Sequence, residues 1–303
     1  MKTILFGRNS FIAQHILDSN QSIIAYGNYF YSEQHIHDFF YELPLDVKVI
    51  INCIGKTGSP NIDSLENQKE HTFFTNTILP IIFACRCAEL GIYYIQLSSG
   101  CCFYGKSPNT FFDGFNYEFY DKAVCSELNH IDVGWKESDF ANPASTYSRS
   151  KYASDLVLEK LDNVCILRLR MPVSYIPSPR NLLSKIISYK QVIEEPNSIT
   201  FVDDLVRAIS FVIEKQLTGI YHIASPKHLT HSVFLEEYKK RYNPAHEYEK
   251  ITNTQLNELV AAPRSNCILN VEKIQKEGFI FEDTKLAVRR YVKKFVENIK
   301  DAQ

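Results

Sequence analysis

The chain opens with a short, largely apolar run, Lys2 to Phe6, that stops at Gly7 and gives way to Arg-Asn-Ser-Phe-Ile-Ala-Gln-His-Ile-Leu. Apolar positions at Phe11, Ile12 and Ile16 then recur at helical spacing, which predicts a buried strand, a tight turn and a helix. The alternation continues. Strands are predicted at Ser22 to Tyr26, Val47 to Asn52, Tyr93 to Ser98 and Cys165 to Arg170, with a helix from about Thr72 to Leu90 that carries Asn76 near its start. Met171-Pro172 follows the last of these strands, and the proline is expected to block its continuation. A segment from Ile199 to Val212, a strand from Gly219 to Ile223 and a charged helix from about Thr284 to Ile299 complete the pattern. Strands alternating with helices imply an α/β fold built on a doubly wound parallel sheet. Residues 1–170 are expected to form the sheet domain, with 199–223 returning to it, and 171–303 a smaller C-terminal lobe. Residues 104–142 mix polar, aromatic and glycine positions without a period and read as a long loop, a candidate lid.

Composition narrows the partners. With 303 residues, 45% hydrophobic and 22% charged, the chain can bury a large core. A formal net charge of −2 gives no pull towards nucleic acid or an anionic membrane. The N-terminal apolar run ends at Arg8, too soon for a signal peptide, and no stretch is apolar enough to span a bilayer. Eight cysteines in an enzyme-like chain do not resemble a disulfide framework, so a cytoplasmic setting is expected. Cys85 and Cys87 read as core cysteines, and no metal site is predicted.

Two features carry chemistry. Gly7, Ser10 and Ala13 occupy the places of a Gly-x-x-Gly-x-x-Gly turn, where free backbone N–H groups at a helix start favour a dinucleotide pyrophosphate. The second strand ends in Gly27-Asn28 with no acidic residue to take a ribose 2′-hydroxyl. With Arg8 beside the turn, that favours NADPH, although Arg8 also reads as a solvated loop charge. The second feature is Tyr147 and Lys151, four apart and so on one face of a predicted helix. A phenol of pKa about 10 is a poor catalyst at neutral pH, and a nearby ammonium favours its phenolate. Ser99, at the C-terminal end of a strand, faces the side of the sheet where ligands bind and can hydrogen-bond a substrate oxygen beside Tyr147.

The turn at Gly7, Asn52-Cys-Ile-Gly55, Ser99 and Tyr147-x-x-x-Lys151 together resemble an extended short-chain dehydrogenase/reductase acting on a nucleotide sugar, with a Rossmann-like sheet. A narrower resemblance runs through Gly55 to Asp63, Ser99-Gly-Cys101, Leu167-Arg-Leu-Arg-Met-Pro172, Pro179-Arg-Asn181, Pro196-Asn-Ser198, Leu217 to Tyr221 and Ala262-Pro-Arg-Ser-Asn266. These segments are similar to the C-terminal half of plant rhamnose synthases, the bifunctional 3,5-epimerase/4-keto-reductase that makes UDP-L-rhamnose. Ser10 and Ala13 in the turn, Ser99 in place of threonine and a longer stretch between Phe103 and Tyr147 depart from that pattern.

The resemblance implies that NADPH is held by Gly7, Arg8, Asn9, Ser10, Phe11, Ile12, Asn28, Cys53, Gly55, Lys151 and Met171. It implies a nucleoside-diphospho-4-keto-6-deoxyglucose as substrate. Its C4 ketone acidifies C3 and C5, and inversion there needs a base on one face and an acid on the other. Cys101, two residues beyond Ser99, is suited to proton transfer if a cation is near, and Lys185 matches the opposing acid. By themselves the two would read as a core cysteine and a solvated helix charge. Tyr147 and Ser99 would then bind O4 during reduction, with Lys151 on the nicotinamide ribose. Arg180, Asn181, Asn197 and Arg264 are the expected substrate contacts, the arginines because their forks match phosphate oxygens. A 4-keto-reductase without epimerase activity, a 4-epimerase with tightly held NAD and a non-catalytic NADP-binding regulatory subunit remain as alternatives. A homodimer through the helices near 72–90 and 147–161 is expected by analogy.

Overall fold

The computed structural model describes residues 2–27, 30, 32–107 and 134–301. Asn28 and most of the 104–142 segment lie outside these residues. The elements in chain order begin with β1 (Lys2–Phe6), α1 (Phe11–Ser19), β2 (Ile24–Tyr26), α2 (Glu33–Tyr41) and β3 (Val47–Asn52). Next come α3 (Lys69–Phe73), a π-helical turn (Phe74–Ile78), α4 (Leu79–Glu89), β4 (Tyr93–Ser99), α5 (Thr146–Leu158) and β5 (Val164–Leu169). The C-terminal part holds β6 (Pro172–Val173), α6 (Leu182–Ser188), β7 (Gln191–Ile193), β8 (Thr200–Phe201), α7 (Val202–Lys215) and β9 (Gly219–Ile223). It ends with α8 (His231–Arg241), β10 (Glu249–Ile251), α9 (Asn253–Leu259), α10 (Glu272–Lys276) and α11 (Thr284–Asp301).

Six parallel strands form the main sheet in the order β2-β1-β3-β4-β5-β9. Its strands read as continuous apolar runs because both faces are covered. Leu5, Ile51, Ile95 and Leu167 face α1 and α7, whereas Ile4, Ile50, Tyr94 and Ile166 pack with residues of α2, α4 and α5 such as Phe40, Phe83 and Leu158. The strand order reverses between β1 and β3, so a crevice opens outside the carboxyl ends of those strands, where ligands settle in open α/β sheets. A separate core, including Leu183, Phe201, Phe234 and Tyr291, holds the C-terminal lobe together.

Several boundaries differ from the sequence expectation. The second strand begins at Ile24, because the amide and hydroxyl of Ser22 both turn to Asn20 Oδ1 (3.1 and 2.7 Å). The helix expected from Thr72 starts at Lys69 and is interrupted by the π-helical turn. Pro80 has no N–H to offer the carbonyl of Asn76, and the turn preceding it widens. The fifth strand ends at Leu169, so Arg170 leaves the sheet, and Met171 takes a positive φ of 40°. The fifth strand does not continue through Pro172, as expected, and the proline instead takes the first position of β6, which pairs with β8 in a sheet of its own. The stretch from Ile199 splits into β8 and helix α7.

The described ends of the 104–142 segment are pinned to the C-terminal part. Gly105 N donates to Asn266 O (2.9 Å), Trp135 N donates to Ile268 O (2.8 Å), and the Trp135 ring stacks on Phe103. Among the described residues, no helix is long and apolar enough to cross a membrane, and no cluster of His, Cys, Asp or Glu is suited to a metal.

Candidate active site

An open cleft of about 1590 Å³ runs from the β1 turn across the end of β4 into the C-terminal lobe. Pockets for a single small ligand are roughly 300–1,000 Å³, so this one has room for two sizeable ligands side by side.

The cofactor end rests on a backbone approach that only glycine permits. Gly7 has φ +84°, and a Cβ there would stand 2.9 Å from the Cys53 carbonyl carbon and the Ile54 nitrogen. Ser10 caps α1, its Oγ accepting from Ala13 N (3.2 Å). Asn9, Ser10, Phe11, Ile12, Cys53, Gly55, Lys151 and Met171 all line the cleft, with Gly7 directly behind them. Arg8 does not line it. Its side chain is exposed, with Cβ near Gly27 at the end of β2. The cradle suits a dinucleotide: Gly7 backbone against the Cys53–Ile54 backbone, a helix N-terminus, and at Gly55 a surface where an added Cβ would crowd Lys151 Nζ at 3.2 Å.

Helix α5 delivers the reductase pair, and several anchors fix its start. Ser145 and Ser148 form a capping box, and the Glu66 carboxylate accepts from Thr146 N and Oγ1 (2.8 and 2.7 Å). The π-helical turn brings Asn76 against the helix, where its Nδ2 donates to Ser150 Oγ (3.0 Å) and to Lys56 O (3.0 Å) while Oδ1 accepts from Lys56 N (2.7 Å). Lys151 is buried and its Nζ donates to Leu97 O (3.2 Å). Burial lowers its pKa to about 8 against the opposing pull of Asp155 and Cys53.

Tyr147 behaves differently from the sequence expectation. Burial first, then the Cys101 sulfur, pushes the phenol well above its ordinary range; hydrogen bonding with Ser99 and the Arg170 guanidinium offset this only in part. The Lys151 ammonium is not among the largest of these influences, and its Nζ donates to the Leu97 carbonyl. Tyr147 is therefore a protonated phenol at neutral pH, the form that can donate to a developing alkoxide.

Beyond the end of β4, Ser99 Oγ accepts from Cys101 N (3.2 Å), which turns the half-buried thiol into the cleft. The cation that the sequence argument required beside it is Arg170, which that argument did not name. Arg170 Nη1 donates to Cys101 Sγ (2.9 Å) and Nε to Asn197 Oδ1 (3.0 Å), and Nη2 bonds to Ser265 O. The sequence signal was the alternation in Arg168-Leu-Arg170, which would put both arginines on one side of a continuing strand, although the strand ends at Leu169. Lys185 lines the cleft from α6, its pKa lowered by burial and then by Arg180 and Arg264. His231, also missed, lines the cleft; burial and Arg170 push its pKa down to about 4, leaving a neutral imidazole.

The expected substrate contacts divide. Arg180 reaches across to Thr57 Oγ1 (2.8 Å) and Gly58 O (2.7 Å). Arg264 lines the cleft, but its fork is held by Asp63 Oδ1 and Oδ2 (2.7 and 2.9 Å), which keeps the Asp63 carboxyl below the usual range. Asn197 serves Arg170. Asn181 must be corrected. It is fully buried and does not line the cleft; Oδ1 accepts from Ser174 N and Leu183 N, and Nδ2 donates to Ser174 O and Ile176 O. As the cap of α6 it has no polar atom left for a substrate.

Residues 1–297 match the family model described as the RmlD substrate binding domain. The chain is 32% identical over 230 residues, 75% of its length, to a bifunctional dTDP-4-dehydrorhamnose 3,5-epimerase/dTDP-4-dehydrorhamnose reductase of Arabidopsis thaliana, 70% of which is covered. It is also 32% identical over 230 residues to a trifunctional UDP-glucose 4,6-dehydratase/UDP-4-keto-6-deoxy-D-glucose 3,5-epimerase/UDP-4-keto-L-rhamnose-reductase of the same plant, spanning only 32% of that longer protein. Among solved structures, a UDP-rhamnose synthase of Acanthamoeba polyphaga mimivirus superposes with a TM-score of 0.82 at 25% identity, covering 97% of this chain and 99% of that one. A dTDP-4-dehydrorhamnose reductase of Clostridium acetobutylicum shares the fold, with a TM-score of 0.76 at 18% identity over 97% of this chain and 99% of that one.

Proposed function

The chain belongs to the RmlD substrate-binding domain family, and we propose that it is an NADPH-dependent, bifunctional UDP-4-keto-6-deoxy-D-glucose 3,5-epimerase/4-keto-reductase that forms UDP-L-rhamnose. The names of the relatives support nucleotide-rhamnose synthesis. The observation that carries the finer reading is that Cys101 with Arg170, Lys185, Tyr147 and Ser99 all face one cleft beside the cofactor cradle.

In this reading Cys101 removes the proton from C3 and then C5, and Lys185 delivers one to the opposite face. The C4 carbonyl holds the charge as an enolate between these transfers. Burial and two neighbouring arginines make Lys185 readier to release a proton than a solvated lysine. Ser99 and Tyr147 hold O4 throughout. The cradle at the β1 turn would hold NADPH, whose chemistry there would be hydride transfer to C4, and the Tyr147 phenol gives O4 its proton. Lys151 would hold the nicotinamide ribose, and Arg8, beside the end of β2, would take the 2′-phosphate. Arg180 and Arg264 receive the diphosphate, Arg264 exchanging its Asp63 carboxylate for phosphate oxygens. A reducing cytoplasmic setting and a homodimer through α4 and α5 belong to the same proposal.

The test is product analysis after incubation with NADPH and UDP-4-keto-6-deoxyglucose in heavy water. UDP-L-rhamnose deuterated at C3 and C5 is the expected product. Reduction without deuterium at either carbon would leave a monofunctional reductase, and oxidation of NADPH only with the dTDP sugar would change the nucleotide.

A further inference from the structure

Tyr147, Lys151 and Asp155 lie four residues apart along one face of α5. The first two belong to the proposed reductase machinery; Asp155 touches neither cofactor cradle nor cleft. It is wholly buried, as is Arg168 on β5. Asp155 Oδ2 accepts from Arg168 Nε (2.7 Å) and Oδ1 from Ser98 Oγ (2.6 Å). Ser98 stands between Leu97, whose carbonyl accepts from Lys151 Nζ, and Ser99, which lines the cleft with Tyr147. The carboxylate thus fastens α5 to β4 at the residue between those two. The Arg168 guanidinium is itself packed near the rings of Phe103 and Tyr152, and its Nη1 has no hydrogen-bond partner.

A buried ion pair is weak evidence for stability, since apolar side chains of similar size often do as well. Its placement here points to a different use. We propose that Asp155, clamped by Arg168, is a positioning residue that keeps Lys151 charged and sets the strand end bearing Ser99 against Tyr147. The groups facing Lys151 agree with this: burial drives it towards the neutral amine, while Asp155 on its own helix and Cys53 beyond β3 act in the opposite sense. Of those two, Asp155 is the stronger influence. The proposal rests on the reductase reading only in taking Lys151 as part of that machinery.

The measurement is the titration of Lys151 followed by NMR of lysine labelled with 15N at Nζ, its signal assigned from the spectrum of Lys151→Met. Asp155→Asn is expected to lower the midpoint by about 1 pH unit. It also strands Arg168, so the double variant Asp155→Asn/Arg168→Met, which removes both charges, guards against failure to fold and is expected to shift in the same direction. Asp155→Glu should restore the wild-type midpoint. The alkaline limb of NADPH-dependent ketone reduction should move with the titration. An unchanged Lys151 midpoint in the folded double variant overturns the proposal. A shifted midpoint in a protein that reduces no 4-keto sugar supports the positioning role and overturns the reductase reading instead.

Discussion

At Tyr147, burial and the Cys101 sulfur raise the phenol's pKa more than Ser99 and Arg170 lower it. A positioned acid is worth about a hundred- to ten-thousandfold in rate. Tyr147→Phe should therefore lose about that factor in reduction, measured by NADPH oxidation, while keeping part of the deuterium uptake at C3 and C5. Cys101→Ala should abolish that uptake; loss of exchange in the tyrosine variant but not in the cysteine variant would reverse the two assignments. Lys151 gives a pH prediction. With a pKa of about 8 it is charged below that value and loses its proton as pH rises through it. Reduction should fall along an alkaline limb centred near pH 8 in a plot of kcat/KM. At this scale the sequence was informative where spacing is local, as for Tyr147 and Lys151, and silent where partners are distant. Arg170 reaches Cys101 across 69 positions of chain, and Asp63 reaches Arg264 across 201.

Among the elements, α3, the π-helical turn and α4 do the most to position the site. The widened turn places Asn76 where its amide bonds both Lys56 backbone groups and Ser150. Asn76→Ala would leave buried polar groups without partners, at about 1–3 kcal/mol each. It should lower the urea midpoint and weaken NADPH binding, since Gly55 lies beside the same amide; equal NADPH affinity in the variant would detach the turn from the cofactor site. The apolar pattern predicted a helix here because both kinds of turn bury the same face. It did not distinguish α from π, which hangs on one missing N–H at Pro80 and the packing of α5 on its neighbour. At Pro172 the expected stop of β5 holds, and what the pattern left open is that a proline excludes the middle of a sheet but not the first position of a new one.

For the molecule as a whole, arginines from the C-terminal lobe span the cleft, Arg180 to Thr57 and Gly58 and Arg264 to Asp63. The outer face of the helices beyond β3 and β4 offers a second whole-molecule feature. Ile78, Leu156 and Val157 are each nearly half exposed there. If these helices pair with a second copy, Val157→Glu should convert a dimer to a monomer in light scattering; a wild-type monomer would remove the dimer from the proposal. The match of the chain to the RmlD substrate-binding domain family extends through residue 297, so both lobes belong to one architecture.

The sequence by itself determined the parallel α/β sheet, the glycine turn after β1 and the helix bearing Tyr147 and Lys151. Each of these is written in the alternation of apolar residues or in the steric needs of a single backbone position. Tertiary structure alone decided which charges meet. It turned Lys151 to the Leu97 carbonyl, withdrew Asn181 into a helix cap, occupied Arg264 with Asp63 and supplied Arg170 to Cys101. Such pairings depend on the crossing of strand ends that the chain joins only through the fold, where a low-dielectric interior makes a buried charge seek whatever partner the packing brings within reach.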